Sequence, residues 1–148
     1  MTLQNLLAIK SLIEFVARRE DIQRMLAAAE RNLQDAAITA ISDENRFDAA
    51  YKCIMQCAML ALWASGYRTS TSKPGHHQTA IQTLSLTMGI ENKVIIVLDK
   101  LRKQRNINDY DGDPISPAIV EECLRQAQAL LAHTKNWLTV QHPEFCTE

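Results

Sequence analysis

The residues with the most chemistry to offer fall in one stretch, Arg102-Lys-Gln-Arg-Asn-Ile-Asn-Asp-Tyr-Asp-Gly-Asp-Pro114. It packs two arginines, two asparagines, a tyrosine and three aspartates into thirteen residues. The apolar run Val94-Ile-Ile-Val-Leu98 leads into it. At helical spacing Val94, Leu98, Leu101 and Arg105 share a face, so Arg105 continues a core-facing stripe. A guanidinium in that position needs acceptors, because an unpaired buried charge is very costly. The nearest in sequence are Asp109, Tyr110 and Asp111. Two readings stand side by side. In one, the helix end is a lock, with Arg105 paired to Asp109 or Asp111 and Tyr110 packing its ring. In the other it is a site, because arginine is suited to bidentate phosphate contacts. Arg102 and Lys103 then form a solvated basic rim able to supply further phosphate contacts.

Other reactive side chains are fewer. His77 lies on an apolar face with Ala80, Ile81, Leu84 and Met88 and reads as a packed, hydrogen-bonded histidine. His76 points about a quarter-turn away and reads as exposed. Asp48, Tyr51 and Lys52 sit on the most apolar helix, where Tyr51 reads as core and lies within reach of Arg105. Cys53 and Cys57 are i, i+4 on that helix and supply two metal ligands at most, with no second pair nearby in sequence. They read as small buried hydrophobes. There is no phosphate-binding glycine loop, no Gly-x-Ser-x-Gly and no His-Glu-x-x-His. Aromatics make up only 5%, so a platform for stacking bases is absent.

The elements that must position these residues are helices. Thr2 caps an expected first helix from Leu3 to about Arg18, and a second follows from about Ile22 to Ala40. Ser42 or Asp43 starts a third, about Glu44 to Ser65, which is apolar nearly all round and belongs in the middle of a bundle or in an oligomer interface. Tyr67 to Gly75 reads as a polar loop, and a short fourth helix as about His76 to Met88. The fifth runs from Asn92 to about Asn106 or Asn108. Ser116-Pro117 opens a sixth that ends near Gln141-His-Pro143, and the tail after it reads as loose. No segment alternates at period two. The expectation is an all-α, up-and-down bundle of five to six helices in one domain, 1–148. A net charge of −1 gives no overall drive toward nucleic acid, so any RNA contact needs a local patch. No apolar run reaches ~18 residues, so no membrane span is expected. Neither a signal-peptide start nor a disulfide framework is evident, which suits a reducing cytoplasm.

The order of these features resembles the HEPN superfamily, small helical domains of prokaryotic toxin–antitoxin and defence systems. The shared features are an Ala-rich central helix with an early tyrosine (Phe47-Asp-Ala-Ala-Tyr51), a closing glycine, and a Lys73-Pro-Gly-His-His77 loop into a short helix. The similarity covers about Asn32 to Trp137. Its most specific piece is Arg105-Asn106 followed by Asp109-Tyr110, the Arg-Asn-x-x-Asp-Tyr variant of the family motif. In the ribonuclease members, arginine and histidine from two subunits meet at a dimer interface and cleave RNA without metal. The resemblance therefore implies Arg105 and Tyr110 as the catalytic pair, with Asn106, Asp109, Arg102 and His76 binding. It implies a homodimer, RNA or a nucleotide as ligand, an antitoxin or nucleotidyltransferase as partner, and no cofactor. Tyr110 stands where the ribonucleases hold histidine. An imidazole titrates near neutrality and relays protons, whereas a phenol near ~10 does so only if strongly tuned. Binding without cleavage, beside a nucleotidyltransferase or antitoxin, is the alternative. If the fourth helix lies beside the fifth, His76 or His77 is placed to stand in for the motif histidine.

Overall fold

Helices form where the apolar stripes run, with one exception at the N-terminal end. In the structure, a computed structural model, residues 1–146 are described; the side chain of Tyr110 lies outside the described residues, as do Thr147 and Glu148. The chain runs α1 (Leu3–Ala8), β1 (Leu12–Glu14), α2 (Arg19–Ala36), α3 (Asp43–Ala64), β2 (Tyr67–Thr69), α4 (His76–Gln82), α5 (Leu84–Thr87), α6 (Asn92–Asp111) and α7 (Pro117–Gln141), closing with a 3₁₀ turn at Pro143–Phe145. The all-α bundle expected from the sequence is what forms.

The caps are those the sequence marks. Ser42 Oγ accepts the amide of Asn45 at 3.2 Å at the start of α3, and Ser116 Oγ accepts that of Ile119 at 3.3 Å ahead of Pro117. Gly112 ends α6 in the left-handed region, φ +68°, which a side chain at that position would resist.

The exception is the expected first helix. The chain leaves α1 at Ala8, turns through Lys10 at φ +64°, and continues as β1, which pairs antiparallel with β2 in the register Leu12↔Thr69, Ile13↔Arg68, Glu14↔Tyr67. The helical stripe read through Ile9, Ile13 and Val16 is not the buried one: Ile9 and Val16 are exposed and Leu12 is fully buried. The strand instead buries Leu12 in the core, and Phe15 just after it packs on Trp63 with ring centroids 5.2 Å apart. Tertiary packing overrides a weak local period here. The start of the presumed loop after Gly66 is accordingly a strand. Elsewhere the expected fourth helix breaks at Thr83 into α4 and α5, α2 stops at Ala36 rather than Ala40, and α6 runs on to Asp111.

Helix α3 is the hub. Phe47, Ala50, Tyr51, Cys53, Ile54, Cys57, Ala58, Ala61 and Leu62 are buried on it, and beyond its first turn Lys52 alone is exposed, flanked by half-buried Asp48 and Gln56. Helices α2 and α7 flank it along its length, while α4, α5 and α6 cover the remaining side, with α4 against α6. Cys53, Cys57 and Cys123 are buried free thiols, as a packing role requires. No described helix is long and apolar enough to cross a membrane.

One buried cation ties the frame together. Arg46 is 8% exposed; its Nε donates to the Ala36 carbonyl at 2.9 Å, and its terminal nitrogens meet Asp43 at 3.8 Å and Glu121 at 3.5 Å. It thus holds the end of α2, the start of α3 and the first turns of α7, with its charge at a helix C-terminus where it is favoured. Replacing Arg46 with alanine orphans the Ala36 carbonyl and removes a buried charge-assisted bond, and should lower unfolding free energy in urea by about 1–3 kcal/mol. Unchanged stability would show that Arg46 is dispensable to the frame.

Candidate functional site

Along α6 the stripe Leu98–Leu101 is buried and Arg105 extends it to the surface, its side chain 27% exposed. The guanidinium lies over the ring of Tyr51, Cζ 5.1 Å from the ring centroid. Its Nε donates to Asp48 Oδ1 at 3.3 Å and lies 3.9 Å from Asp109 Oδ2. The other oxygen of Asp48 meets Lys52 Nζ at 3.3 Å. The two terminal nitrogens of Arg105 make no hydrogen bond among the described residues. Among the described residues the arginine is therefore anchored at one edge and open at the other.

Beneath it, Tyr51 is 1% exposed and its hydroxyl lies 3.3 Å from His77 Nδ1 on α4. Burial pushes the phenol up to about 12, against the opposing charges of Arg105 and Arg102, so it is protonated at neutral pH. His77, half-buried, sits below the ordinary histidine value of 6.5; burial is the main cause, followed by the positive potential of His76, Arg105 and Arg102. His76 is exposed and stands edge-on to His77 with ring centroids 4.7 Å apart.

Arg102, one turn before Arg105, donates from Nε to Asp99 Oδ1 at 2.8 Å. Burial alone would raise the Asp99 carboxyl, but the hydrogen bond and charge of Arg102, with Lys103 at 3.5 Å, hold it below the usual carboxylate value. The end of α6 is fixed by Gln104 donating to Asn108 and Asn108 donating to the Asp113 carbonyl, each at 2.6 Å. A cleft of about 370 Å³ opens beside Arg105, with Glu44, Asp48 and Asp109 on its walls and Phe47 and Ile115 also lining it.

The structure thus brings Arg102, Arg105 and Asp109 onto one end of α6 and places His76 and His77 on the helix packed against it. Asn106 is exposed and its side chain makes no hydrogen bond among the described residues, and the side chain of Tyr110 lies outside them. Arg105 takes its carboxylate from Asp48 on α3 as well as from Asp109; Asp111 is not a partner among the described ion pairs. The principal partners of Arg105, Asp48 and Tyr51, are 57 and 54 positions away in the chain. Their signal in the sequence was the polar strip Asp48-x-x-Tyr51-Lys52 on a helix otherwise apolar.

Protonating His77 costs its acceptor contact with Tyr51 and adds charge beside two arginines. Its folded pKa lies below the unfolded value, so the unfolded chain binds more protons in the window just below 6.5 and stability rises with pH across it. NMR titration should find the His77 midpoint below 6.5, and Arg105→Met should move it upward; a midpoint above 6.5 in the intact protein would contradict this placement.

Comparison with known proteins agrees with the architecture. No curated protein matches the chain. The HEPN domain family model matches residues 22–137, which includes α3, α4, the whole of α6 and most of α7. That span takes in the Arg105 cleft and its α3 wall, and the chain belongs to the HEPN domain family.

Proposed function

We propose that this HEPN protein binds RNA through the surface around Arg105 and Arg102, as a homodimer of the toxin–antitoxin or defence type. The observation that carries the reading is the state of the Arg105 guanidinium. A purely structural lock would spend its forked edge on a carboxylate. Here the carboxylate contact is at Nε, the ring of Tyr51 supports the plane, and both terminal nitrogens stay open among the described residues. That is a group oriented in advance for a phosphate oxygen, at little further entropic cost. Arg102, held by Asp99, adds positive potential on the same helix. With tyrosine at the motif's histidine position, the reading favours binding over cleavage.

The second reading, a module that docks an antitoxin or nucleotidyltransferase, draws on the carboxylates of Glu44, Asp48 and Asp109 around the cleft, which suit a basic protein segment. Sedimentation of the protein with a labelled single-stranded RNA at low salt addresses both ligand and assembly. The expected complex contains two 16.7 kDa chains, and Arg105→Ala weakens RNA binding by about tenfold or more, the worth of a charge-assisted hydrogen bond. RNA affinity indifferent to Arg105→Ala would exclude this surface; a monomeric complex would exclude the dimer.

A further inference from the structure

His77 is a half-buried titratable group at this surface whose tautomer its hydrogen bond to Tyr51 defines. The Tyr51 hydroxyl is buried and must place its proton on an acceptor. Its hydrogen-bond partner among the described residues is His77 Nδ1, at 3.3 Å. The phenol is protonated at neutral pH, so it donates and Nδ1 accepts. A neutral imidazole whose Nδ1 accepts carries its own proton on Nε2. Nε2 has no hydrogen-bond partner among the described residues, and no buried side-chain nitrogen or oxygen there lacks one, so Nε2 reaches solvent. Arg105 rests on the face of the same tyrosine ring, and the His77 ring centroid is 6.0 Å from that ring's centroid.

The geometry points to His77 as an uncharged hydrogen-bond donor in a phosphate-binding site, its Nε2–H set by Tyr51, whose ring also carries Arg105. This rests on the RNA-binding reading and deepens it by naming the phosphate group as the moiety recognised. Tyr51 is a positioning residue: its ring supports the guanidinium and its hydroxyl selects the imidazole tautomer. The same tautomer presents a donor rather than a base. In this form the imidazole stabilises an oxyanion and takes no proton from a ribose hydroxyl.

Two measurements on the full-length protein test this. Long-range ¹H–¹⁵N spectra of the free protein at pH 8 read the tautomer directly. Nε2 protonated and Nδ1 bare is expected, with a mixture of the two forms in Tyr51→Phe; a protonated Nδ1 in the unsubstituted protein overturns the inference whatever RNA does. The second measurement titrates inorganic phosphate, AMP and a short oligoadenylate separately while following the His77 ring signals. Movement with all three identifies a phosphate site open to monoesters, and movement with the oligoadenylate alone identifies a phosphodiester site. His77→Leu should weaken the bound probe by about tenfold, whereas His77→Gln, which keeps an N–H near Nε2, should stay within about threefold. If Arg105→Ala reduces RNA binding and His77→Leu does not, the inference fails while the RNA reading stands. If the oligoadenylate does not bind the intact protein, both fail.

Discussion

Burial of α3 on nearly every side is the constraint from which the rest of the molecule follows. A helix so apolar has to be covered, and α2, α7 and the α4–α6 group do so from different directions. What remains open is the strip Asp48, Lys52, Gln56. Asp48 of that strip faces α6 while Lys52 and Gln56 border α2, so Arg105 finds its carboxylate on α3 where that helix surfaces. Covering the hub and building the cleft are one packing solution.

The arginine at that seam has two roles that compete for the same atoms. As a tie between α6 and α3 it needs Asp48; as a ligand-binding group it needs free donors. The geometry divides the guanidinium between them, Nε inward and the terminal nitrogens outward, with Tyr51 as the floor. Half-burial strengthens whatever the outer edge holds, because the local dielectric is lower than in water. Arg46 makes the contrast. Almost wholly buried, with Nε bonded to the Ala36 carbonyl and its terminal nitrogens facing Asp43 and Glu121, it holds α2, α3 and α7 together.

Much of this was legible from residue types alone. The long helices, the central place of α3, the caps at Ser42 and Ser116 and the singular position of Arg105 all follow from apolar period and end signals. Two kinds of feature were hidden. The β1–β2 pair was missed because Leu12 to Glu14 is too short to show a period, and because Leu3 to Val16 also fits a helical stripe; only the packing of Leu12 and Phe15 on the core decides between them. Asp109 and Tyr51 were legible as neighbours of Arg105, but Asp48 was missed because Asp109 and Asp111 are nearer in sequence and Asp48 comes from another helix. Arg46 was hidden for the same reason: its acceptors belong to α2 and α7 as well as to its own helix. Tyr51 and His77 were visible as packed residues, and what the sequence lacked was their mutual contact.

The central claim is that the forked shape of Arg105, and not merely its charge, is what the surface offers. Arg105→Lys isolates that point, since lysine keeps the charge and can still pair with Asp48 but has no second edge to present. Measured by RNA titration at fixed low salt, the lysine variant should bind about tenfold or more weakly while retaining the thermal stability of the unsubstituted protein. A lysine variant that binds RNA as tightly as arginine would contradict the account.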